Sequence, residues 1–160
     1  MIEVTITDDM LLEARKCAAE IGKLKNSIEK GAGNLAGCLG EILVRETLGY
    51  AEDSTYDYDL RAPSGETVDV KTKRTTVTPK PDYDCSVAAF NTKQNCDKYI
   101  FVRVLSDLSK GWILGEMGKE EYFDNARFMK KGKIDPANGF RVKANCYNVA
   151  IKDLNECKAS

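Results

Sequence analysis

Residues 56–73 read Tyr-Asp-Tyr-Asp-Leu-Arg-Ala-Pro-Ser-Gly-Glu-Thr-Val-Asp-Val-Lys-Thr-Lys, and the way this stretch folds decides the rest. Two alternating runs flank Pro63-Ser64-Gly65, the pattern of a β-hairpin. Alternate side chains on a strand share a face. Asp57 and Asp59 therefore lie together on the first run, and Asp69, Lys71 and Lys73 on the second. Tyr56, Tyr58 and Leu60 would share the opposite face with Val68, Val70 and Thr72. The turn sets how the runs align. A three-residue loop with Gly65 at positive φ places Asp59 opposite Asp69 and Asp57 opposite Lys71. A two-residue loop at Ser64-Gly65 puts Asp59 opposite Val70 and sends the carboxylates to different faces. The apolar pattern favours the longer loop, because only then do tyrosines and valines share a buried side. Two carboxylates and a lysine then meet on one patch. Such a patch suits a hard divalent cation, with the lysine holding a nucleophile or an anionic oxygen.

Upstream, residues 2–6 alternate as a short strand, and Thr7 can cap a helix with Asp8 and Asp9 in its first turn. Met10, Ala14, Cys17, Ile21, Leu24 and Ile28 recur at helical spacing, predicting a helix from about 8 to 29. After Gly31-Ala32-Gly33, Asn34 can cap a second helix that runs to Leu48 and stops at Gly49. Its stripe is Leu35, Cys38, Leu39, Ile42 and Leu43. Gly37 and Gly40 cost up to about 1 kcal/mol each in a helix, which points to close backbone approach against a neighbour. Glu41 lies beside the stripe and Glu46 within it.

Downstream, Pro79 and Pro81 interrupt regular structure. Residues 85–91 fit a short strand or a helical turn equally. Tyr99 to Leu105 is nearly continuous in apolar residues, as expected of a central strand, and Trp112 to Met117 returns beside it. A helix is predicted over Gly118 to Phe128, a basic loop from Lys130 to Gly139, and closing strands at 140–143 and 147–151.

The chain has 160 residues, 42% apolar and 31% charged, and reads as one globular domain over 1–160. No apolar run is long enough to cross a membrane and no secretory leader is present, so a cytoplasmic location is expected. Six cysteines without a Cys-x-x-Cys pair read as reduced thiols. The sequence contains no histidine, which excludes Ser-His-Asp and Cys-His catalysis, histidine metal sites and histidine proton shuttles. Hydrolytic chemistry, if present, rests on carboxylates, lysines, tyrosines or thiols. A net charge of −1 argues against a dedicated non-specific nucleic-acid binder, although basic patches can sit on a neutral body.

A helix carrying Glu41, a strand with Asp59, a strand with Asp69-Val70-Lys71 and the strand 99–105 follow one another. In this order the chain resembles the PD-(D/E)XK nuclease superfamily over residues 34–105. Tyr58 stands where the family's proline precedes the first aspartate. The resemblance implies an α/β, restriction-endonuclease-like fold, with a central mixed β-sheet of four to five strands flanked by α-helices. It also implies Glu41, Asp59 and Asp69 as ligands of Mg²⁺ (or Mn²⁺), with Lys71 as the catalytic lysine of a DNA endonuclease. Gln94 matches a glutamine that some members carry after the lysine strand, although its spacing to Tyr99 is one residue longer than in the RecB-like branch. Lys73, Arg74 and Lys80, and the cluster Lys130, Lys131, Lys133, Arg141 and Lys143, are candidate phosphate contacts on DNA; each run also fits a solvated surface. Asp57 either pairs with Lys71 or replaces Asp59; Asp59 is preferred because it faces Asp69. A homodimer would suit cleavage of both strands. Two other readings stay open. One is a non-catalytic module of the same fold that binds nucleic acid or a protein partner. The other is a hairpin whose charges are surface ion pairs.

Overall fold

The computed structural model describes residues 1–25, 32–136 and 139–158. Its elements run β1 (Ile2–Thr5), α1 (Asp8–Lys25), α2 (Ala32–Leu48), β2 (Ala51–Glu52), β3 (Leu60–Arg61), β4 (Thr67–Thr75), β5 (Asp84–Ala88), β6 (Lys98–Leu105), β7 (Lys110–Gly118), α3 (Lys119–Asn125), β8 (Arg127–Met129) and β9 (Cys146–Ala150). The fold is mixed α/β. The expected sheet of four to five strands is larger: six strands in the order β1-β7-β6-β4-β3-β2. Only β4 and β6 pair in parallel; the other neighbours are antiparallel. A second, three-stranded antiparallel sheet, β5-β9-β8, was not anticipated.

The central strands of the main sheet are buried on both faces, and their alternation sorts two cores. Leu60, Val68, Val70, Ile100, Val102, Val104 and Ile113 pack with Leu39, Ile42, Leu43 and Val44 of α2 and Ala14 of α1. On the other face Tyr99, Phe101, Trp112 and Leu114 meet Cys85, Val87 and Val149 of the small sheet and Tyr122 of α3. β6 is buried from both sides, which explains its nearly unbroken apolar run. Each such large side chain contributes roughly 1.5–3 kcal/mol by leaving water.

Helix ends follow local chemistry. Thr7 Oγ1 accepts from the Met10 amide at 3.2 Å, and Gly49 (φ 71°) ends α2 with its amide on the Arg45 carbonyl. Asn34 does not cap α2, since the helix already begins at Ala32. The predicted extension of α1 over 26–29 lies outside the described residues. Gly40 carries the expected close approach: a Cβ there would lie 1.8 Å from Thr72 Oγ1 on β4, whereas nothing lies within 4 Å of one at Gly37. Residues 85–91 are both alternatives in turn, β5 followed by a single 3-10 turn, Ala89–Asn91. The helix expected over 118–128 ends at Asn125, because Arg127–Met129 pairs with β9 instead. Residues 140–143 form no strand beyond one bridge between Ile134 and Arg141. Among the described residues no helix is long and apolar enough to cross a membrane.

Candidate functional site

The hairpin closes through the three-residue loop. The Ala62 amide donates to the Glu66 carbonyl and the Gly65 amide to the Ala62 carbonyl, both at 2.8 Å, with Gly65 at φ 92°. Leu60 pairs with Val68 and Arg61 with Thr67, so Asp59 falls opposite Asp69. The Asp59 amide donates to the Val68 carbonyl at 2.9 Å.

The first strand, however, is much shorter than its alternation implied. Thr55 Oγ1 accepts from the amides of Asp57 and Tyr58 at 3.1 and 3.2 Å, and the Thr55 amide donates to the Tyr58 carbonyl. This local turn competes with strand pairing and wins. Tyr56 is consequently 80% exposed. Tyr58 joins the aromatic core on the opposite face from Leu60 and the valines, beneath the Arg61 guanidinium. Asp57 does not face Lys71; its Oδ1 accepts from the Asn95 amide at 3.0 Å.

Because β3 stops at Leu60, the edge of β4 beyond it has no partner strand. Asp59 fills the gap with its side chain: Oδ2 accepts from the Val70 amide at 2.8 Å. The Asp59 carboxyl thereby sits in the plane of the sheet edge. Asp69, on the aromatic face, and Glu41, from α2 on the other face, each lie within hydrogen-bonding reach of it. The Gly40–Thr72 contact is what lets α2 come this near.

Three carboxyls in so little water cannot all ionise. Burial, then the Glu41 charge and the neighbouring Asp69, pushes Asp59 up to about 9. Burial also raises Glu41, with Asp69 adding to it and the Asp59 contact opposing. Lys71 Nζ stands 2.7 Å from Asp69 Oδ2, outside hydrogen-bonding geometry, and that buried oxygen has no hydrogen-bond donor. Among the described residues no three acidic or thiol side chains converge as a ready metal shell. The carboxyls run in series, Glu41 to Asp59 to Asp69.

Lys71 also borders a cavity of about 550 Å³ between the two sheets. Lys73, Arg103, Arg141 and Lys143 line it as well. The tertiary structure thus joins part of each predicted basic run to one recess. Arg103 was missed; its signal was a lone arginine in an apolar strand, and parallel pairing sets it beside Lys73. Lys73 Nζ donates to Ser86 Oγ at 2.9 Å, and Ser86 donates to Asn148 Oδ1. Burial, then Arg103, lowers the Lys73 pKa. Of the cavity's acids, Asp84 and Asp135 both pair with Arg127, at 3.0 and 3.2 Å.

The remaining candidates lie elsewhere. Arg74, Lys80, Lys130, Lys131 and Lys133 are exposed and do not border the cavity. Gln94 donates from Nε2 to the Tyr56 carbonyl at 2.7 Å, bracing the bend before Asp59. Glu46 is exposed and pairs with Arg45, so it does not face the core as its place in the stripe implied. All six cysteines have free thiols.

No known family model matches the sequence, and no curated protein does.

Proposed function

We propose that the chain is a metal-dependent phosphodiester hydrolase acting on DNA, with a restriction-endonuclease-like core formed by α2, β3, β4 and β6. The observation that carries this reading is the series Glu41–Asp59–Asp69, with Lys71 against its last member and a cationic recess just beyond. The donors fit a hard cation such as Mg²⁺. All are carboxylate oxygens, one of them, Asp69 Oδ2, is buried against the Lys71 ammonium alone, and a divalent charge would relieve the repulsion that holds Asp59 protonated. Asp59, Asp69 and Glu41 would hold the ion, which supplies Lewis-acid polarisation of a phosphoryl oxygen. Lys71 would leave Asp69 for the anionic oxygens of the scissile phosphate, stabilising the charge that builds there. The cavity cations would hold neighbouring phosphates, which accounts for local basicity on a chain of net charge −1.

The test is cleavage of labelled plasmid, junction and single-stranded DNA with Mg²⁺ or Mn²⁺. Lys71→Ala and Asp69→Asn should each lose at least about a hundredfold in rate while their circular dichroism matches the parent. Parental cleavage by both variants would overturn the proposal.

A second reading is a non-catalytic module of the same fold that binds nucleic acid. The Lys71–Asp69 ion pair and the lack of a converged three-ligand shell among the described residues favour it. Calorimetric titration with Mn²⁺ separates the two, since this module would bind no cation at the carboxyls.

A further inference from the structure

Resting on the hydrolytic reading, we infer that the cavity beside Lys71 receives one unpaired nucleotide of the substrate strand, so that the chain acts on single-stranded or locally unpaired DNA. The first support is shape. A recess of about 550 Å³ is in the size range of small-ligand pockets, roughly 300–1,000 Å³. A stacked base pair offers nothing that enters such a recess, whereas an unstacked nucleotide does.

The second support is the lining. Phe101, Leu114, Ala88 and Val142 supply apolar wall, and Ser86 and Asn148 supply polar floor. That mixture suits a heterocycle, with a flat apolar face and a hydrogen-bonding edge. Around it stand Lys71, Lys73, Arg103, Arg141 and Lys143, while Asp84 and Asp135 are engaged by Arg127. The excess of positive charge calls for phosphates. Lys73 and Arg103 are register partners on β4 and β6, so their charges repel across the cavity, and a bound anion would offset that repulsion.

The third support is aromatic exposure. Phe140, on the cavity wall, is 74% exposed, and Phe90, the neighbour of the wall residue Asn91, is 73% exposed. Large exposed rings beside cations are the stacking platforms of proteins that hold single strands. The inference also gives Lys71 a second duty: it joins the carboxyl series to the recess, so the nucleotide in the recess would neighbour the scissile phosphate.

The experiment measures fluorescence anisotropy of a labelled short single strand, the same sequence as a blunt hairpin duplex, and the single strand with one abasic position, all in EDTA to prevent cleavage. The parent should bind the single strand about tenfold more tightly than the duplex, and the abasic strand should lose about the same factor. Phe140→Ala and Lys143→Ala, both at exposed positions, should erase most of the preference; Lys152→Ala, on the surface away from the cavity, should keep it. Equal affinity of the parent for paired and unpaired strands overturns the inference, as does full preference in both cavity variants. Displacement of the strand by a free deoxynucleoside monophosphate at equal concentration also overturns it, assigning the recess to a small nucleotide. Lys71-dependent cleavage with no strand preference would refute this inference alone. Strand preference with cleavage that ignores Lys71→Ala would refute the hydrolytic reading alone.

Discussion

Asp59→Asn should make the protein more stable at neutral pH, because Asp59 is a cost that the fold carries for its site. The Asp59 carboxyl titrates near 9 in the folded chain against an ordinary value of 3.8. Below the ordinary value both folded and unfolded chains hold the proton, and the group is neutral to stability. As pH rises above it, the unfolded chain releases its proton while the folded chain keeps it, so stability falls until the folded value is passed. Each pH unit in that window is worth at most about 1.4 kcal/mol, which gives on the order of 4 kcal/mol by pH 7. Relaxation and sharing of protons with Glu41 reduce this, and a gain of roughly 1–2 kcal/mol is expected. Asparagine keeps the oxygen that accepts from the Val70 amide, and its NH₂ can donate to Glu41 or Asp69. Urea unfolding in EDTA reads the effect: the variant's midpoint should exceed the parent's near pH 7 and meet it near pH 4, with unchanged slope. A variant no more stable than the parent at neutral pH, or a gap that does not narrow toward acid, refutes the electrostatic account. Adding Mg²⁺ should reverse the order. At about a hundredfold over its dissociation constant the ion stabilises the parent by about 2.7 kcal/mol, and the variant by much less.

Gly40→Ala should destabilise the chain by about 1–3 kcal/mol despite alanine's better helix propensity, since its Cβ would overlap Thr72 Oγ1. Thermal unfolding of the pair Gly40→Ala with Thr72→Ala should recover part of that loss; simple additivity would argue against the contact. Lys98 is buried with its ammonium 2.8 Å from Glu116 and 3.1 Å from the Tyr50 hydroxyl. Glu116→Ala strands that charge and should cost roughly 3 kcal/mol in denaturant midpoint, with Lys98→Met in the same chain restoring most of it. No loss in the single variant would mean that Tyr50 and Glu66, whose Oε1 lies 3.6 Å from the ammonium, suffice.

The candidate site was legible where the deciding physics is local. Of the two loop lengths open to Pro63-Ser64-Gly65, the alternation of apolar residues favoured the longer, which puts Asp59 opposite Asp69 as the structure has it. Thr7, Gly49 and the apolar run of β6 likewise act over a few residues. The length of the first hairpin strand was misread, because alternation in Tyr56-Asp57-Tyr58 is satisfied by a strand but overruled by the Thr55 side chain. Asp59 became part of the sheet edge for that reason, by ending a strand early. Nothing in the spacing of Arg103, Arg141 and Lys143 marks them as neighbours of Lys71. Their meeting depends on β5-β9-β8 folding over the aromatic face, and such pairing between segments 62 residues apart is governed by burial of Tyr122, Phe101 and Val87. Sequence by itself favoured the three-residue turn and the register that sets Asp59 opposite Asp69, because short-range sterics and periodicity act there, whereas Glu41, and Lys71 as the catalytic lysine, joined them only through the resemblance of the element order. Tertiary structure decided that the carboxyls run in series and that a cationic recess opens beside them, because both arise from layers packed across the sheet.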